Sequence, residues 1–146
     1  MIPQELVKFE DDMAKVAKFF DKQNIPFIVV GSGALLMCGI PLGRDAGDID
    51  VEVLRNEKNG NFFTTLQEVT CDKNPDYVGE NKPFTFFYKG IKVNVWLVEN
   101  YTHRHIIKRN NIRYATAYSV LKQKMAYKRK KDYEDLNHIM KAFLEL

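Results

Sequence analysis

The sequence predicts an α+β domain, a mixed β-sheet flanked by helices with further helices at its C-terminal end. Three observations lead there. Apolar residues recur at helical spacing early in the chain and again near its end. Between those stretches, short runs alternate apolar and polar residues with the two-residue period of strands. Helix-like and strand-like segments interleave along the chain, an order that layers helices on a sheet.

Leu6, Phe9, Met13, Val16, Ala17 and Phe20 mark the first helix. Pro3 suits its first turn, and Asn24 and Pro26 stop it near Gln23. Residues 27–30 form a short apolar strand, followed by a sharp Gly31-Ser32-Gly33 turn and a short helix over 34–38. Residues 49–54 alternate cleanly, which gives a strand with one apolar and one acidic face. Residues 62–69 are helix-like, and 72–83 are polar and turn-rich. Lys89-Gly90 joins strands over 84–88 and 91–98 as a hairpin, and 112–114 form a further short strand. From Thr116 the pattern is helical to the end, with Leu136, Ile139, Met140, Phe143 and Leu144 as its strongest stripe.

At 146 residues, 45% hydrophobic and 28% charged, the chain suits one soluble domain, a sheet core over 1–115 and helices over 116–146. No run approaches the roughly 20 apolar residues of a membrane span, and no apolar leader follows Met1. Cys38 and Cys71 offer neither a disulfide framework nor ligand spacing, which fits a cytoplasmic protein. Charge is asymmetric. Residues 1–55 carry 6 Lys/Arg against 9 Asp/Glu, whereas 104–131 carry 10 Lys/Arg and no acid. The basic block suits an anionic partner, although charge alone favours a solvated helix face.

The chemistry concentrates in GSGALLMCGIPLGRDAGDIDVEVL, residues 31–54. Asp48 and Asp50 lie two apart on one strand, so their carboxylates project together and repel unless compensated. A divalent cation compensates them directly, since Mg²⁺ takes one or two carboxylates with phosphate oxygens and water. The plain alternative is a wet outer strand face that Glu52 continues. The glycine-rich strand-to-helix turn, with the Ser32 hydroxyl, suits phosphate. Arg44, four residues before Asp48, could neutralise phosphate charge.

This G-S turn followed by R-x-x-x-D-x-D resembles the nucleotidyltransferase superfamily that includes DNA polymerase beta. The small single-domain members are most similar: abortive-infection toxin, lincosamide and aminoglycoside nucleotidyltransferases. The tail resembles them too, with Lys124 and then Arg129-Lys130-Lys131-Asp132-Tyr133-Glu134-Asp135-Leu136 matching a lysine followed by R-x-K-D-x-x-D-L. The likeness spans residues 24–54 and 112–140, with the hairpin fitting between them.

The resemblance implies a nucleotidyltransferase-like sheet and an NTP substrate with Mg²⁺ or Mn²⁺. It implies Gly31 and Ser32 at the triphosphate, Arg44 and Lys124 on phosphate charge, and Asp48 and Asp50 on the metals. The third catalytic position, an aspartate in the family, is Asn94 here. Asparagine carries no charge and cannot act as a base. Glu52 or Glu99 are the carboxylates placed to compensate. Ala46 stands where a serine or threonine is common.

From spacing alone, Lys124 either reaches phosphate or snorkels at a helix edge. Asp132 suits the N-cap of the last helix, and Asp135 a pair with Arg129 or Lys131. His103 and His105 are expected in an exposed turn, and Phe84, Phe86, Phe87, Tyr88 and Trp96 either in the core or stacked on a ring. Two functions follow. One is metal-dependent transfer of NMP from an NTP to a hydroxyl of a small molecule, protein or RNA. The other is a catalytically weakened module that binds nucleotide or RNA, or serves in a toxin–antitoxin pair. The acceptor pocket would come from the C-terminal helices, the 72–83 loop or, in a homodimer, a second subunit.

Overall fold

A computed structural model of the chain describes residues 4–40, 47–55 and 83–144. The elements run α1 (Gln4–Lys22), β1 (Ile28–Val30), α2 (Gly31–Met37), β2 (Ile49–Leu54), β3 (Phe84–Tyr88) and β4 (Ile91–Val98). They continue with β5 (Ile106–Arg109), β6 (Ile112–Ala115), α3 (Ala117–Tyr127) and α4 (Lys130–Leu144). Six strands form one mixed sheet in the order β3-β4-β2-β1-β6-β5. The chain therefore has the α+β architecture with C-terminal helices. The helix expected over 62–69, the loop over 72–82, Arg44, Ala46 and Cys71 lie outside the described residues. Among the described residues no helix is long and apolar enough to cross a membrane.

The stripe Leu6, Phe9, Met13, Val16 and Phe20 turns α1 inward. The helix stops at Asn24, whose φ of +56° is the left-handed conformation asparagine tolerates. Ile25 N–H returns to the Phe20 carbonyl at 3.0 Å and Asn24 N–H to that of Asp21 at 3.0 Å, closing the end as a Schellman motif. Phe19 then lies 5.3 Å from Phe86 and 5.1 Å from Tyr88, centroid to centroid, and Phe20 lies 4.7 Å from Phe27. These contacts seat α1 on the sheet's apolar face, where Val29, Val51, Val53, Val93 and Val95 are buried. Phe84 and Phe86 are core, but Phe87 is 65% exposed, so the hairpin aromatics divide by strand alternation.

β2 lies between β1, antiparallel to it, and β4, parallel to it. This register sets Asp50 opposite Val30 on one side and Asn94 on the other. Lys89 and Gly90 both take positive φ, +50° and +79°, the tight-turn geometry that matches strand twist. Asn110 and Asn111 repeat it at +53° and +63°. That second turn creates β5, a strand absent from the expected elements.

The turn expected over Gly31–Gly33 is compressed into one residue. Gly31 takes φ +67°, and α2 begins there at once. Gly33 is a contact glycine: a Cβ there would sit 2.4 Å from Phe9 Cζ, so the Phe9 ring of α1 packs on the bare backbone of α2.

Candidate functional site

The carboxylate pair is built by strand alternation. Ile49, Val51 and Val53 face the core, which leaves Asp48, Asp50 and Glu52 on the other face of β2. Asn94 of β4 stands beside them, and its amide joins the pair: Nδ2 donates to Asp48 Oδ2 at 3.0 Å and to Asp50 Oδ1 at 3.0 Å. Asn94 Oδ1 in turn accepts the Thr85 hydroxyl at 2.7 Å, from the residue directly opposite on β3. Lys92 Nζ lies 3.3 Å from Asp48 Oδ2. Burial pushes the Asp50 carboxyl above its ordinary value. Hydrogen bonds from Asn94 and Trp96 and the charge of Lys131 resist that rise, while Asp48 adds to it.

Gly31 adjoins this pair. A Cβ on it would lie 3.2 Å from Asp50 Oδ2, so a side chain there would press on the carboxylate. One residue on, the Ser32 hydroxyl donates to Asp135 Oδ2 at 3.1 Å and accepts from Lys124 Nζ at 3.4 Å. Lys124 also donates to Asp135 Oδ2 at 2.8 Å and Asp132 Oδ1 at 3.4 Å. Its side chain is 5% exposed and those of both carboxylates 0%. Lys124 thus neither snorkels nor stands open to solvent; it ties α3 and α4 to the start of α2.

Asp132 is not the N-cap. It lies three residues into the turn that Arg129 opens and reaches back, accepting the Arg129 backbone N–H at 3.1 Å. This is the returning half of a capping box. The Arg129 guanidinium adds bonds of 2.7 and 3.1 Å to the same carboxylate. Burial works against the Asp132 charge, but the Arg129 bonds and the positive charges of Arg129 and Lys124 outweigh it and hold its carboxyl below the ordinary value.

Glu52 does not compensate for Asn94. It is 4% exposed, and both of its oxygens are taken by Thr102, one by the backbone N–H at 2.9 Å and the other by the hydroxyl. That grip pins the 99–105 connection across β2. Glu99 is exposed. His103, expected at the surface, is 4% exposed because the same connection presses it against α3, with Nδ1 2.6 Å from the Ser119 hydroxyl. Burial lowers the His103 pKa, while Glu52 and Gln123 pull it back up. Beside it opens a cavity of about 450 Å³, lined by His103, Arg104, His105, Tyr118, Lys122 and Gln123 among others.

Gly31, Asp48, Asp50 and Asn94 thus form one cluster, and Ser32 and Lys124 an adjoining one. The residues that sequence reasoning missed are Thr85 and Lys92. Thr85's signal was register, since it stands opposite Asn94 once 84–88 and 91–98 are paired as a hairpin. Alternation along 91–98 already set Lys92 on Asn94's face, and only its bond to Asp48 was missed. Among the described residues no three His, Cys, Asp or Glu side chains converge as a metal site. The Asp48 and Asp50 carboxylates still suit a single Mg²⁺ that draws its other ligands from phosphate and water, while the Asn94 amide oxygen is turned away to Thr85. No protein-family model, curated protein or solved structure matches the chain.

Proposed function

We propose that this chain is a metal-dependent nucleotidyltransferase that moves an NMP group from an NTP to an acceptor hydroxyl. The observation that carries this reading is the junction of Gly31 with Asp50. The glycine that follows β1 and opens α2 lies against Asp50, one of the carboxylate pair at the adjacent strand. A phosphate chain lying along the backbone at Gly31 would bring its oxygens to those carboxylates. Asp48 and Asp50 would hold the Mg²⁺ or Mn²⁺, which supplies charge neutralisation at the α-phosphate. The acceptor hydroxyl gives its proton to solvent and its oxygen forms the new bond to the α-phosphorus, while the bond from that phosphorus to the α–β bridging oxygen breaks and pyrophosphate leaves with the electron pair. The positive charge of Lys131 acts on Asp50 and favours its ionised form. The cavity lined by α3 and the 102–105 segment has the size of a small-molecule site and suits part of the acceptor.

Asn94 favours a second reading, a binding module with a weakened metal site. It cannot take the acceptor's proton, and its amide already satisfies both carboxylates.

Calorimetric titration of each NTP with Mg²⁺ or Mn²⁺ into wild type and into Asp48→Asn/Asp50→Asn tests the reading. Metal-dependent binding in wild type, weakened at least tenfold in the folded double variant, is expected. Equal binding by both proteins would remove the site from Asp48 and Asp50. Transfer activity then separates the readings: Asn94→Asp raises turnover in an enzyme and leaves a binding module without any.

A further inference from the structure

The Asn94 amide has two N–H groups, and each goes to a different carboxylate, at 3.0 Å to Asp48 and 3.0 Å to Asp50. An amide dipole placed positive end first between two carboxylates does what a cation would do there. Lys92, 3.3 Å from Asp48 Oδ2, adds a full charge to the same arrangement. The protein's own groups therefore compensate part of the pair's charge. We propose that Asn94 is a plug and not a standing metal ligand: it keeps the carboxylate pair closed to bare divalent cations, so that metal enters together with the nucleotide. This rests on the nucleotidyltransferase reading and adds an order of binding to it.

Chemistry and register both support the plug. For Asn94 to bind a cation, its amide must turn over so that the carbonyl faces the metal. Turning gives up two hydrogen bonds to ionised acceptors, the strong kind, and leaves the carbonyl facing two negative groups until the metal arrives. Thr85 makes the turn feasible. Its hydroxyl donates to Oδ1 at 2.7 Å in the closed arrangement and can accept from Nδ2 in the open one. Thr85 is thus a positioning residue, a pivot that satisfies the amide's outer end either way.

Lys92 supplies the coupling to nucleotide. Its side chain is 44% exposed, so it is free to exchange Asp48 for a phosphate oxygen. A triphosphate that draws Lys92 away uncovers Asp48 and brings the metal's remaining ligands with it. A bare cation does neither.

The test uses Mn²⁺ as the probe, with free ion followed by electron paramagnetic resonance, on the full chain with and without a non-hydrolysable NTP analogue. Wild type is expected to bind Mn²⁺ alone at least tenfold more weakly than with the analogue. The deciding variant is Asn94→Ala. If Asn94 is a ligand, its removal weakens Mn²⁺ binding; if it is a plug, removal tightens binding of Mn²⁺ alone, by threefold or more. Lys92→Met, at an exposed position where folding is not at risk, should also tighten Mn²⁺ alone while weakening the analogue.

Weaker Mn²⁺ binding in Asn94→Ala, or equal Mn²⁺ affinity of wild type with and without analogue, would overturn the plug and leave the nucleotidyltransferase reading standing. Absence of Mn²⁺ binding in wild type even with the analogue would overturn both.

Discussion

Gly31 shows how one missing side chain can serve two ends. Its φ of +67° costs an L-residue roughly 1–2 kcal/mol. A Cβ there would also stand 3.2 Å from Asp50 Oδ2, tighter than ordinary contact, against a carboxylate already held by Asn94 and Trp96. Backbone strain and site geometry therefore fail together on substitution. Gly31→Ala should lower the melting temperature by roughly 3–6 °C, the shift that about 1–2 kcal/mol produces in a chain of this size. It should also weaken metal-dependent nucleotide binding by more than the lost stability accounts for, since the displaced carboxylate is the one proposed to hold the metal. Melting by calorimetry and nucleotide titration on the same sample check both. A variant that is destabilised but binds normally would confine Gly31 to the turn. The glycine was legible in the sequence because it follows an apolar run. Its contact with Asp50 was not, because that depends on an antiparallel register that no local pattern encodes.

At the scale of elements, the helices α2, α3 and α4 meet through one buried ionic cluster. Lys124 from α3 lies between Asp132 and Asp135 of α4, and Ser32 of α2 joins it. Such a cluster contributes little net stability when intact but is costly to break, because the partner left behind is a buried charge. Lys124→Met should cost about 3–5 kcal/mol, read as a lower denaturant midpoint with an unchanged slope. Asp132 keeps its Arg129 bonds in that variant, so Asp135 is the carboxylate that loses its shortest bond. Lys124→Met/Asp135→Leu should recover most of the loss, since apolar replacement of a buried pair is commonly neutral or better. Failure of the double variant to recover would show that the Ser32 bond to Asp135, and not the charge balance, holds the helices. The sequence disclosed that Lys124 sits on an otherwise apolar helix face, but not what it meets there. Asp132 and Asp135 are short-range features of the next helix, the first readable as its cap and the second as a partner of Arg129 or Lys131. The strand β5 went unread for a similar reason: Ile106-Ile107 is a short apolar run inside a basic segment. Its one signal was Asn110-Asn111, a dipeptide able to take positive φ at both positions.

Across the whole molecule, the class and most strands were legible because alternation and helical stripes are local. The order β3-β4-β2-β1-β6-β5 was not, since it arises from pairings distant in sequence. That topology carries the 99–105 connection over the carboxylate face and buries His103, which local polarity placed at the surface. Burial of an ionisable ring makes stability depend on pH, and the sign follows from which state binds the proton. His103 is held below its ordinary 6.5, so between that value and its native one the unfolded chain binds more protons and stability falls as pH falls. Asp132 is held below its ordinary 3.8, so a second loss follows below that value, where the unfolded chain takes up the proton before the native cluster does. Asp50, raised above 3.8, acts in the opposite sense: in the window above that value its protonation stabilises the native state as pH falls. Denaturation followed from pH 8 to pH 3 should therefore show a stability loss beginning near about 6.5, a partial offset in the carboxylate range, and a final loss below it. His103→Gln, which keeps a polar group against Ser119 but cannot charge, should remove the first loss and leave the last. Asp48→Asn/Asp50→Asn should remove the offset and leave both losses. An unchanged first loss in His103→Gln would assign it to groups other than the buried imidazole, and the 99–105 connection would then be loose enough for His103 to ionise in the folded state.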